Sequence, residues 1–406
     1  MAEYGFVKMP DMTRENSRKV SVVGVGETDF HDDYRAERKR KPGWEPPTEE
    51  TLCRTAFERA LADAGLKGED IDGLAMSYTY GGPEAHEMAK SLGINPKNAW
   101  MNGHIMAGPL PAAAGEVLNG ENRTVALIFC VASRSAGRKF GGMTFAGGMG
   151  GPASYYYFHP WGWSSQAAHW ALMATRYFNQ YGKSEEDLGR VSQQVRQHAS
   201  MNPNAIMQKP FTIEEYMASR YIVKPMHLFD ICLVNDGAVC LIISEADMAR
   251  DCAKTPVDIA GWGEAYIKNN KMKTMIEDRL RPQMQESAAQ IFGMSGLSID
   301  DVGHLEGYDA GSIHLINHVE GFGFCEVGAG LDFCADGQMT LGGRVPTNIS
   351  GGNMSHAYMQ GWSQCAEAVR QLRHECGERQ IAGLEVSLTC LSQTDASHPI
   401  LFQRGA

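Results

Sequence analysis

The segment from Gly351 to Gly361 places a phenol and an imidazole among glycines and other small residues. It reads Gly351-Gly352-Asn353-Met354-Ser355-His356-Ala357-Tyr358-Met359-Gln360-Gly361. A second phenol occurs in Glu306-Gly307-Tyr308-Asp309-Ala310. Tyrosine has an ordinary pKa near 10, so it is mostly neutral at pH 7 and is a good proton donor; it becomes a base only where its surroundings help. Proton transfer is therefore within reach of Tyr308 and Tyr358, although either ring could instead serve packing.

Composition limits the kind of protein. The chain has 406 residues, 43% hydrophobic and 21% charged, which predicts a soluble protein with one large domain or two fused ones. The formal net charge of −11 argues against a nucleic-acid partner, because phosphate binding needs a basic field. The locally basic run 35–41 is either a solvated loop or a contact for the phosphates of a cofactor such as coenzyme A.

Cysteine and histidine patterns indicate neither disulfides nor metal. The ten cysteines are scattered and form no Cys-x-x-Cys pair, so we expect reduced thiols in a cytoplasmic protein. The thirteen histidines show no ligand spacing with partner carboxylates. No run of about 18 apolar residues occurs, and we expect neither export nor a membrane span. Gly24-Val25-Gly26 alone is a weak nucleotide signal, and no nucleotide cofactor is expected.

Hydrophobic periodicity predicts alternating strands and helices. β-Branched and apolar runs predict buried strands at 20–25, 73–78 and 124–132. A helix is predicted from Thr48, as its cap, to a stop at Gly65, and another over 112–118. A helix over 362–374 precedes a strand over 383–389. These elements must position the glycine tract and the segment that contains Tyr308.

A long-range repeat divides the chain. Residues 63–74 match residues 294–305 at a constant offset of 231, with glycine, leucine, aspartate, a β-branched residue and leucine in register. In each copy a helix ends at the glycine, and an Asp-containing turn starts a strand. Unless two helix-stop sequences match by chance, the repeat predicts two similar α/β halves at 18–250 and 255–406.

Residues 137–163 do not fit either periodicity. The segment is dominated by glycine, methionine and aromatic residues. It is too glycine-rich for a regular element, and its aromatic content disfavours disorder. We interpret it as a lid over an apolar substrate.

Several motifs, in order, resemble the sterol carrier protein-type branch of thiolases, also called lipid-transfer proteins. They are the glycine tract and Asn179-Gln180-Tyr181-Gly182, Asn202-Pro203-Asn204-Ala205, Ser219-Arg220-Tyr221-Ile222-Val223-Lys224-Pro225, Leu228-Phe229-Asp230-Ile231-Cys232 and Asn235-Asp236-Gly237-Ala238. The resemblance spans almost the whole chain. It implies an α/β, thiolase-like duplicated five-layer αβαβα fold, with an inserted loop or lid region at about 137–220.

Two features depart from the thiolase pattern. A thiolase carries a nucleophilic cysteine in a turn that corresponds here to residues 101–108, within positions 103–105, and none of these is cysteine. His104 could contact the substrate or be an ordinary turn histidine. The glycine tract resembles Gly-Gly-x-Leu-Ser-x-Gly-His-Pro-x-Gly, with Tyr358 in the place of the histidine. Cys53 and Cys130 lie in a predicted helix and strand, where structural thiols usually occur.

Tyr308 and Tyr358 together resemble the steroid side-chain aldolases, thiolase-like proteins that cleave a 3-hydroxyacyl-CoA by retro-aldol reaction. The resemblance implies two catalytic tyrosines facing one cavity, with Tyr308 as base and Tyr358 as donor to the enolate carbon, or the reverse. Candidate substrate-binding residues are His104, Asp309, Ser355, Gly351 and Gly352; His356 is a weaker candidate.

The predicted function is therefore a carbon–carbon lyase that releases a ketone or aldehyde and a shorter acyl-CoA from a bulky, apolar thioester. The alternatives are a thiolase or acyltransferase with a displaced thiol, such as Cys325 or Cys390, and a non-catalytic lipid-binding protein. The resemblance further implies a homodimer, a small accessory subunit with an OB fold and a zinc ribbon, and no cofactor beyond the substrate's CoA. Steroid degradation is the expected setting.

Overall fold

A computed structural model describes residues 11–39, 42–78, 82–101, 108–137, 159–163, 165–266, 280–392 and 396–405. The strands are β1 (Val20–Glu27), β2 (Gly73–Tyr78), β3 (Asn98–Met101), β4 (Thr124–Ala132), β5 (Tyr221–Val223), β6 (Met226–His227), β7 (Asp236–Glu245), β8 (Val257–Trp262), β9 (Ala265–Tyr266), β10 (His304–Gly307), β11 (Val386–Cys390), β12 (Ala396–Ser397) and β13 (Pro399–Arg404). The helices are α1 (Phe30–Lys39), α2 (Glu49–Ala64), α3 (Ala85–Leu92), α4 (Pro109–Leu118), α5 (Ala167–Tyr181), α6 (Glu185–Ala199), α7 (Ile213–Met217), α8 (Ala246–Ala249), α9 (Leu280–Ser295), α10 (Ile313–Gly321), α11 (Gly330–Ala335) and α12 (Trp362–Leu372).

The main sheet of the described ranges has nine strands in the order β10-β11-β13-β8-β1-β7-β4-β2-β3. It is mixed: β2 is parallel to both β3 and β4, whereas β7 is antiparallel to β4 and β1. The first and second halves of the chain supply one half-sheet each. They join where β1 pairs with β8, through Ser21–Asp258 and Val22–Val257.

Helices sandwich the two half-sheets in five layers. In the first half, Val23, Ala126 and Ile128 face α2, whereas Val125 and Leu127 point to the opposite side, where α4 lies. Helix α12 contacts strands of both half-sheets and so lies with α4 in the central layer, while α9 covers the outer face of β8 and β13. This is the αβαβα order that the resemblance implied.

The same close strand–helix contact occurs in both halves. A Cβ atom at Gly24 would lie 2.5 Å from the carbonyl oxygen of Ala60, and one at Gly261 would lie 2.9 Å from that of Ile291. Gly26 and Gly263 make the equivalent approach to Ala56 and Ser287. Only glycine allows a strand backbone this near to a helix backbone. Ala60 and Ile291 are 231 residues apart, as are Ala56 and Ser287, and this is the offset of the sequence repeat.

The repeated turn itself has the predicted form. Gly65 and Gly296 end α2 and α9 with φ values of +72° and +73°. Each is followed by an aspartate that accepts a hydrogen bond from a backbone N–H three residues earlier, Lys67 to Asp70 at 2.8 Å and Ser298 to Asp301 at 2.7 Å. The strands β2 and β10 then begin. The same turn, with its left-handed glycine and its aspartate hydrogen bond, therefore occurs in both halves.

The region 137–220, predicted to be an inserted loop or lid, is helical over much of its length. Residues 138–158 lie outside the described residues, but α5, α6 and α7 occupy most of 167–217. Ser184 caps α6 by accepting the Asp187 N–H at 3.3 Å, and the Asp187 side chain accepts the Ser184 N–H at 2.9 Å. This capping box was a helix signal in the sequence that the interpretation as a loop overlooked.

Candidate active site

Tyr308 and Tyr358 come together from two different loops. Tyr308 follows the end of β10 and is buried, and its N–H donates to the Cys390 carbonyl of the neighbouring strand at 2.8 Å. Tyr358 lies between the glycine turn and α12 and is half-buried. The two phenol oxygens are 3.1 Å apart, within hydrogen-bond distance. The expected proximity of the rings is therefore observed; their catalytic roles remain predictions.

Two amide side chains hold Tyr358. Asn235, directly before β7, accepts the Tyr358 backbone N–H at 2.8 Å. Gln360 donates its side-chain N–H to the Tyr358 phenol oxygen at 2.8 Å. Neither amide was predicted to have a role in the site. Their positions in the sequence were the available signals: Asn235 lies inside a family motif, and Gln360 lies two residues after Tyr358.

Residues 352–356 form one π-helical turn, and its geometry requires the glycines. Gly351 and Gly352 have φ values of +99° and +54°. A Cβ atom at Gly351 would lie 2.6 Å from that of Ala199, and one at Gly352 would collide with the Asp309 carboxylate. Both glycines thus shape the loop that leads to Tyr358. Their proposed contact with substrate stays a prediction.

Asp309 is fully buried and bonded to the glycine turn. Its carboxylate accepts the N–H of Asn353 at 2.7 Å, and the N–H of Met354 and the amide of Gln364 at 3.4 Å. Burial raises the Asp309 pKa to about 8, and the bond from Asn353 opposes that rise. The contacts described for Asp309 join the Tyr308 loop to the Tyr358 loop. Its role in substrate binding stays a prediction.

Ser355 and His356 have their side chains buried around the turn. The Ser355 hydroxyl accepts the Arg196 Nε–H at 2.8 Å. The His356 ring packs edge-on against Phe30, with centroids 5.3 Å apart, and burial lowers its pKa. Within the described residues neither ring nitrogen of His356 has a hydrogen-bond partner. Both residues support the loop in the arrangement seen here, and substrate binding by Ser355 stays a prediction.

Two further predictions cannot be placed. His104 and most of the proposed lid fall outside the described residues. The basic run is partly described: Arg35, Arg38 and Lys39 are exposed on α1. Exposure fits a solvated surface and equally leaves these side chains free for a phosphate, so both interpretations remain.

Every cysteine is a free thiol. Cys390 is fully buried and Cys325 partly so, and burial raises the pKa of each to about 12. Cys390 and Cys232 both adjoin the Tyr308 loop, because the Cys390 carbonyl accepts the Tyr308 N–H at 2.8 Å and the Cys232 N–H donates to the Ala310 carbonyl at 3.0 Å. Cys232 was not among the predicted displaced nucleophiles. Burial, followed by the charge of Asp309, raises the Cys232 pKa. A thioester is attacked by a thiolate, which all three environments disfavour.

Two described cavities lie away from the tyrosines. One, of about 470 Å³, is polar and includes Glu27, His356 and Arg370 in its lining. The other, of about 480 Å³, lies against the second copy of the repeated turn, at Asp301 and Gly303.

In the part of the chain that the structure describes, no cluster of three His, Cys, Asp or Glu residues could hold a metal ion. No described helix is long and apolar enough to cross a membrane.

The arrangement can move protons between two phenols and a substrate. Each phenol can donate or accept a proton, and the hydrogen bond between the two oxygens provides a path for a proton from one to the other. A covalent acyl-enzyme would instead need a nucleophile with an adjacent base. The geometry around Tyr308 and Tyr358 therefore favours acid–base chemistry.

Comparison with known proteins adds independent findings. A family model for a thiolase C-terminal domain-like unit matches residues 263–394. The chain is 32% identical to a steroid side-chain-cleaving aldolase of Thermomonospora curvata, over 87% of this chain and 90% of the relative. It is 34% identical to a 17-hydroxy-3-oxo-4-pregnene-20-carboxyl-CoA lyase of Mycobacterium tuberculosis, over 91% and 95%.

Solved structures agree on the fold. The Ltp2-ChsH2(DUF35) aldolase superposes with a TM-score of 0.82 at 30% identity, over 96% of this chain and 98% of that one. Human mitochondrial 3-ketoacyl-CoA thiolase superposes with a TM-score of 0.68 at 16% identity, over 96% and 98%, which supports the fold alone.

Proposed function

The chain belongs to the thiolase superfamily, in the group that contains the steroid side-chain-cleaving aldolases, and we propose that it cleaves a carbon–carbon bond of a 3-hydroxyacyl-CoA. The products are a ketone or aldehyde and a shorter acyl-CoA. The observation that carries the proposal is the 3.1 Å contact between the oxygens of Tyr308 and Tyr358. No position of the expected nucleophile turn, 103–105, is a cysteine.

The reaction needs no covalent intermediate. A base removes the proton of the β-hydroxyl, whose oxygen becomes the carbonyl of the leaving ketone or aldehyde. The Cα–Cβ bond breaks, and its electron pair forms the thioester enolate. An acid then protonates the α-carbon. Atoms and electrons balance without an oxidant, and the two phenols supply the base and the acid.

We assign Tyr308 as the base and Tyr358 as the acid. The bond from Gln360 is compatible with this order, because a donor to the Tyr358 oxygen stabilises the phenolate left when Tyr358 gives up its proton. The same bond would also stabilise Tyr358 if it were the base. The assignment is therefore part of the proposal, and the exchange of roles is its alternative.

The substrate is a CoA ester with a bulky, apolar acyl group. The relatives are named for a steroid side chain and for a pregnene carboxyl-CoA, and a steroid-like group is the acyl class we propose. No cofactor beyond the substrate's CoA is required by the chemistry. The solved Ltp2-ChsH2(DUF35) aldolase is named for two components, which supports a partner subunit for this chain. We propose that this partner is a small accessory subunit and that the chain itself forms a homodimer.

Product analysis tests the proposal. The purified protein, with its accessory subunit, is incubated with a panel of 3-hydroxyacyl-CoA esters, and the products are identified by mass spectrometry. We expect a ketone or aldehyde and a shorter CoA ester. Consumption of free CoA would indicate thiolysis instead, and tight binding without turnover, unchanged by Tyr358→Phe, would indicate a lipid-binding protein.

A further inference from the structure

Gln360 combines a buried side chain with a direct bond to the proposed acid. It is 6% exposed, and its side-chain N–H donates to the Tyr358 phenol oxygen at 2.8 Å. An amide N–H can donate to this oxygen whether Tyr358 is protonated or not. It cannot take the phenol proton, because the amide nitrogen is not basic.

The backbone at Gln360 is in an unfavourable conformation for its residue type. Its φ is +53°, in the left-handed region that glycine adopts without strain and asparagine at lower cost than most residues. Strained backbone persists where surrounding structure holds it, and it is frequent at functional sites. A glutamine at this position is explained if its side chain has a task that glycine cannot perform.

A second residue in the left-handed region supports the loop that contains Tyr308. Asn348, with a φ of +48°, accepts the Gly307 N–H at 2.7 Å and donates to the Gly307 carbonyl at 2.9 Å, directly before Tyr308. Amides on left-handed residues therefore support both tyrosine loops. Asn348 acts on backbone, whereas Gln360 acts on the phenol oxygen itself.

We infer that Gln360 is a positioning residue for the proposed lyase reaction: its amide fixes the Tyr358 ring and stabilises the Tyr358 phenolate. The expected effect of Gln360 on turnover rests on the proposed function. The hydrogen bond and its effect on the phenol can be measured without any substrate.

The groups around Tyr358 define the electrostatic setting. Tyr308 is bonded to it at 3.1 Å. Asp309 is bonded to the glycine turn, and Asp236 accepts the backbone N–H of Arg134 and Ser135. His356, on the same loop, packs against Phe30, and Cys232 lies on the segment that leads to Asn235. None of these charges changes in a Gln360 variant.

The test removes the donor in two ways. Gln360→Leu keeps most of the side-chain volume, and Gln360→Gly relieves the backbone strain, so at least one variant should fold. The matched control is Gln180→Leu, because Gln180 donates to the Tyr181 oxygen at 3.0 Å on the exposed face of α5, away from the site.

The first readout is the tyrosinate absorbance of the ligand-free protein as a function of pH. Subtracting the titration of the matching Tyr358→Phe protein removes the twelve other tyrosines of the fourteen and leaves the titration of the hydrogen-bonded Tyr308–Tyr358 pair. We expect the Tyr358 titration to move about 1 to 2 pH units upward in both Gln360 variants, because a bond to a charged group is lost. The Gln180 control should not move it.

The second readout is the pH profile of kcat with the identified substrate. The limb that reports Tyr358 should move upward by the same amount, with a fall in kcat of about tenfold. An unchanged titration, or a downward shift, which would mean that the amide oxygen accepts the Tyr358 proton, overturns the inference. Absence of lyase activity in the wild-type protein would refute the proposed function. The absorbance titration would still show whether Gln360 stabilises the Tyr358 phenolate.

Discussion

Each phenol of the site is fixed by a different kind of contact. Tyr308 is held by its backbone, through the bond to the Cys390 carbonyl at the end of β11. Tyr358 is held at its backbone by Asn235 and at its oxygen by Gln360. The two oxygens consequently meet without a charged residue between them. The proposed chemistry of each tyrosine therefore depends on its one hydroxyl group, which a substitution to phenylalanine removes.

Replacing either phenol should abolish most turnover. We expect Tyr308→Phe and Tyr358→Phe each to lower kcat by about 10²- to 10⁴-fold with little change in KM, because each removes one proton-transfer group and almost no volume. Steady-state kinetics on the identified substrate measures this. The control is Tyr221→Phe, an exposed tyrosine bonded to Glu185. Full activity of Tyr358→Phe would contradict the proposed chemistry.

Cys232, whose backbone adjoins the Tyr308 loop, should be dispensable for turnover. Cys232→Ala should retain most of the wild-type kcat, because burial disfavours its thiolate. Intact-protein mass spectrometry after incubation with an acyl-CoA should show no added acyl group. An adduct on the wild-type protein that disappears in Cys232→Ala would instead establish a covalent thiolase-like mechanism.

Strand β10 and the turn 352–356 meet through buried polar side chains. Asp309 binds the turn's backbone, and Glu306 accepts the N–H and the hydroxyl of Ser350 at 3.2 and 3.0 Å. Asn348 bonds to both backbone groups of Gly307. These contacts make the two tyrosine loops one unit. A change in the protonation of Asp309 should therefore affect stability.

The Asp309 carboxyl should make the folded state less stable as pH rises. Its pKa is raised from 3.8 to about 8, so the folded protein holds this proton more tightly than the unfolded chain. The associated stabilisation is complete below about pH 4 and is lost as pH rises toward 8, by at most about 1.4 kcal/mol per pH unit. Asp309→Asn cannot titrate, and its free energy of unfolding should decline less over this range.

Urea unfolding at several pH values between 5 and 8 measures the effect. Asp300→Asn is the control, because the Asp300 side chain is 93% exposed. Parallel pH dependences for wild type and Asp309→Asn would show that Asp309 is already ionised in the folded protein.

The molecule is a duplication whose halves share a central layer. Helix α12 contacts strands of both half-sheets, and Arg373, directly after it, donates to Asp63 of α2 at 2.7 Å and to the Thr255 carbonyl at 2.9 Å. Because the site is built from loops of the second half and from Asn235 of the first, it needs this joint packing. Glycines at equivalent places in the two halves bring strand and helix together.

Equivalent glycines should respond alike to substitution. Gly26→Ala and Gly263→Ala should each destabilise the protein by about 1 to 3 kcal/mol, because the new Cβ would meet a helix carbonyl. Gly293→Ala is the matched control, since this exposed glycine of α9 has open space around it. It should stabilise by about 0.5 to 1 kcal/mol. Thermal unfolding measures all three; tolerance of both buried changes would refute the shared packing.

Local signals were sufficient for several elements and for the repeated turn, but not for the helices of 167–217. Thr48 and Gly65 bound α2 as predicted, β4 covers the predicted 124–132, and the repeated turn recurs with the same aspartate bonds. Caps, turns and alternating burial act between residues close in the chain, so their pattern is readable from residue order. The resemblance also brought Tyr308 and Tyr358 forward as a pair.

The contacts that define the site were decided by tertiary structure. The 3.1 Å distance between phenol oxygens joins residues fifty positions apart, and Asn235 reaches Tyr358 across 123 positions. Burial, which raises the pKa of Asp309 and of the thiols, depends on what the whole chain packs around them. No local pattern encodes such distances or desolvation, because both arise only when separate loops are brought to the same place by the packed half-sheets.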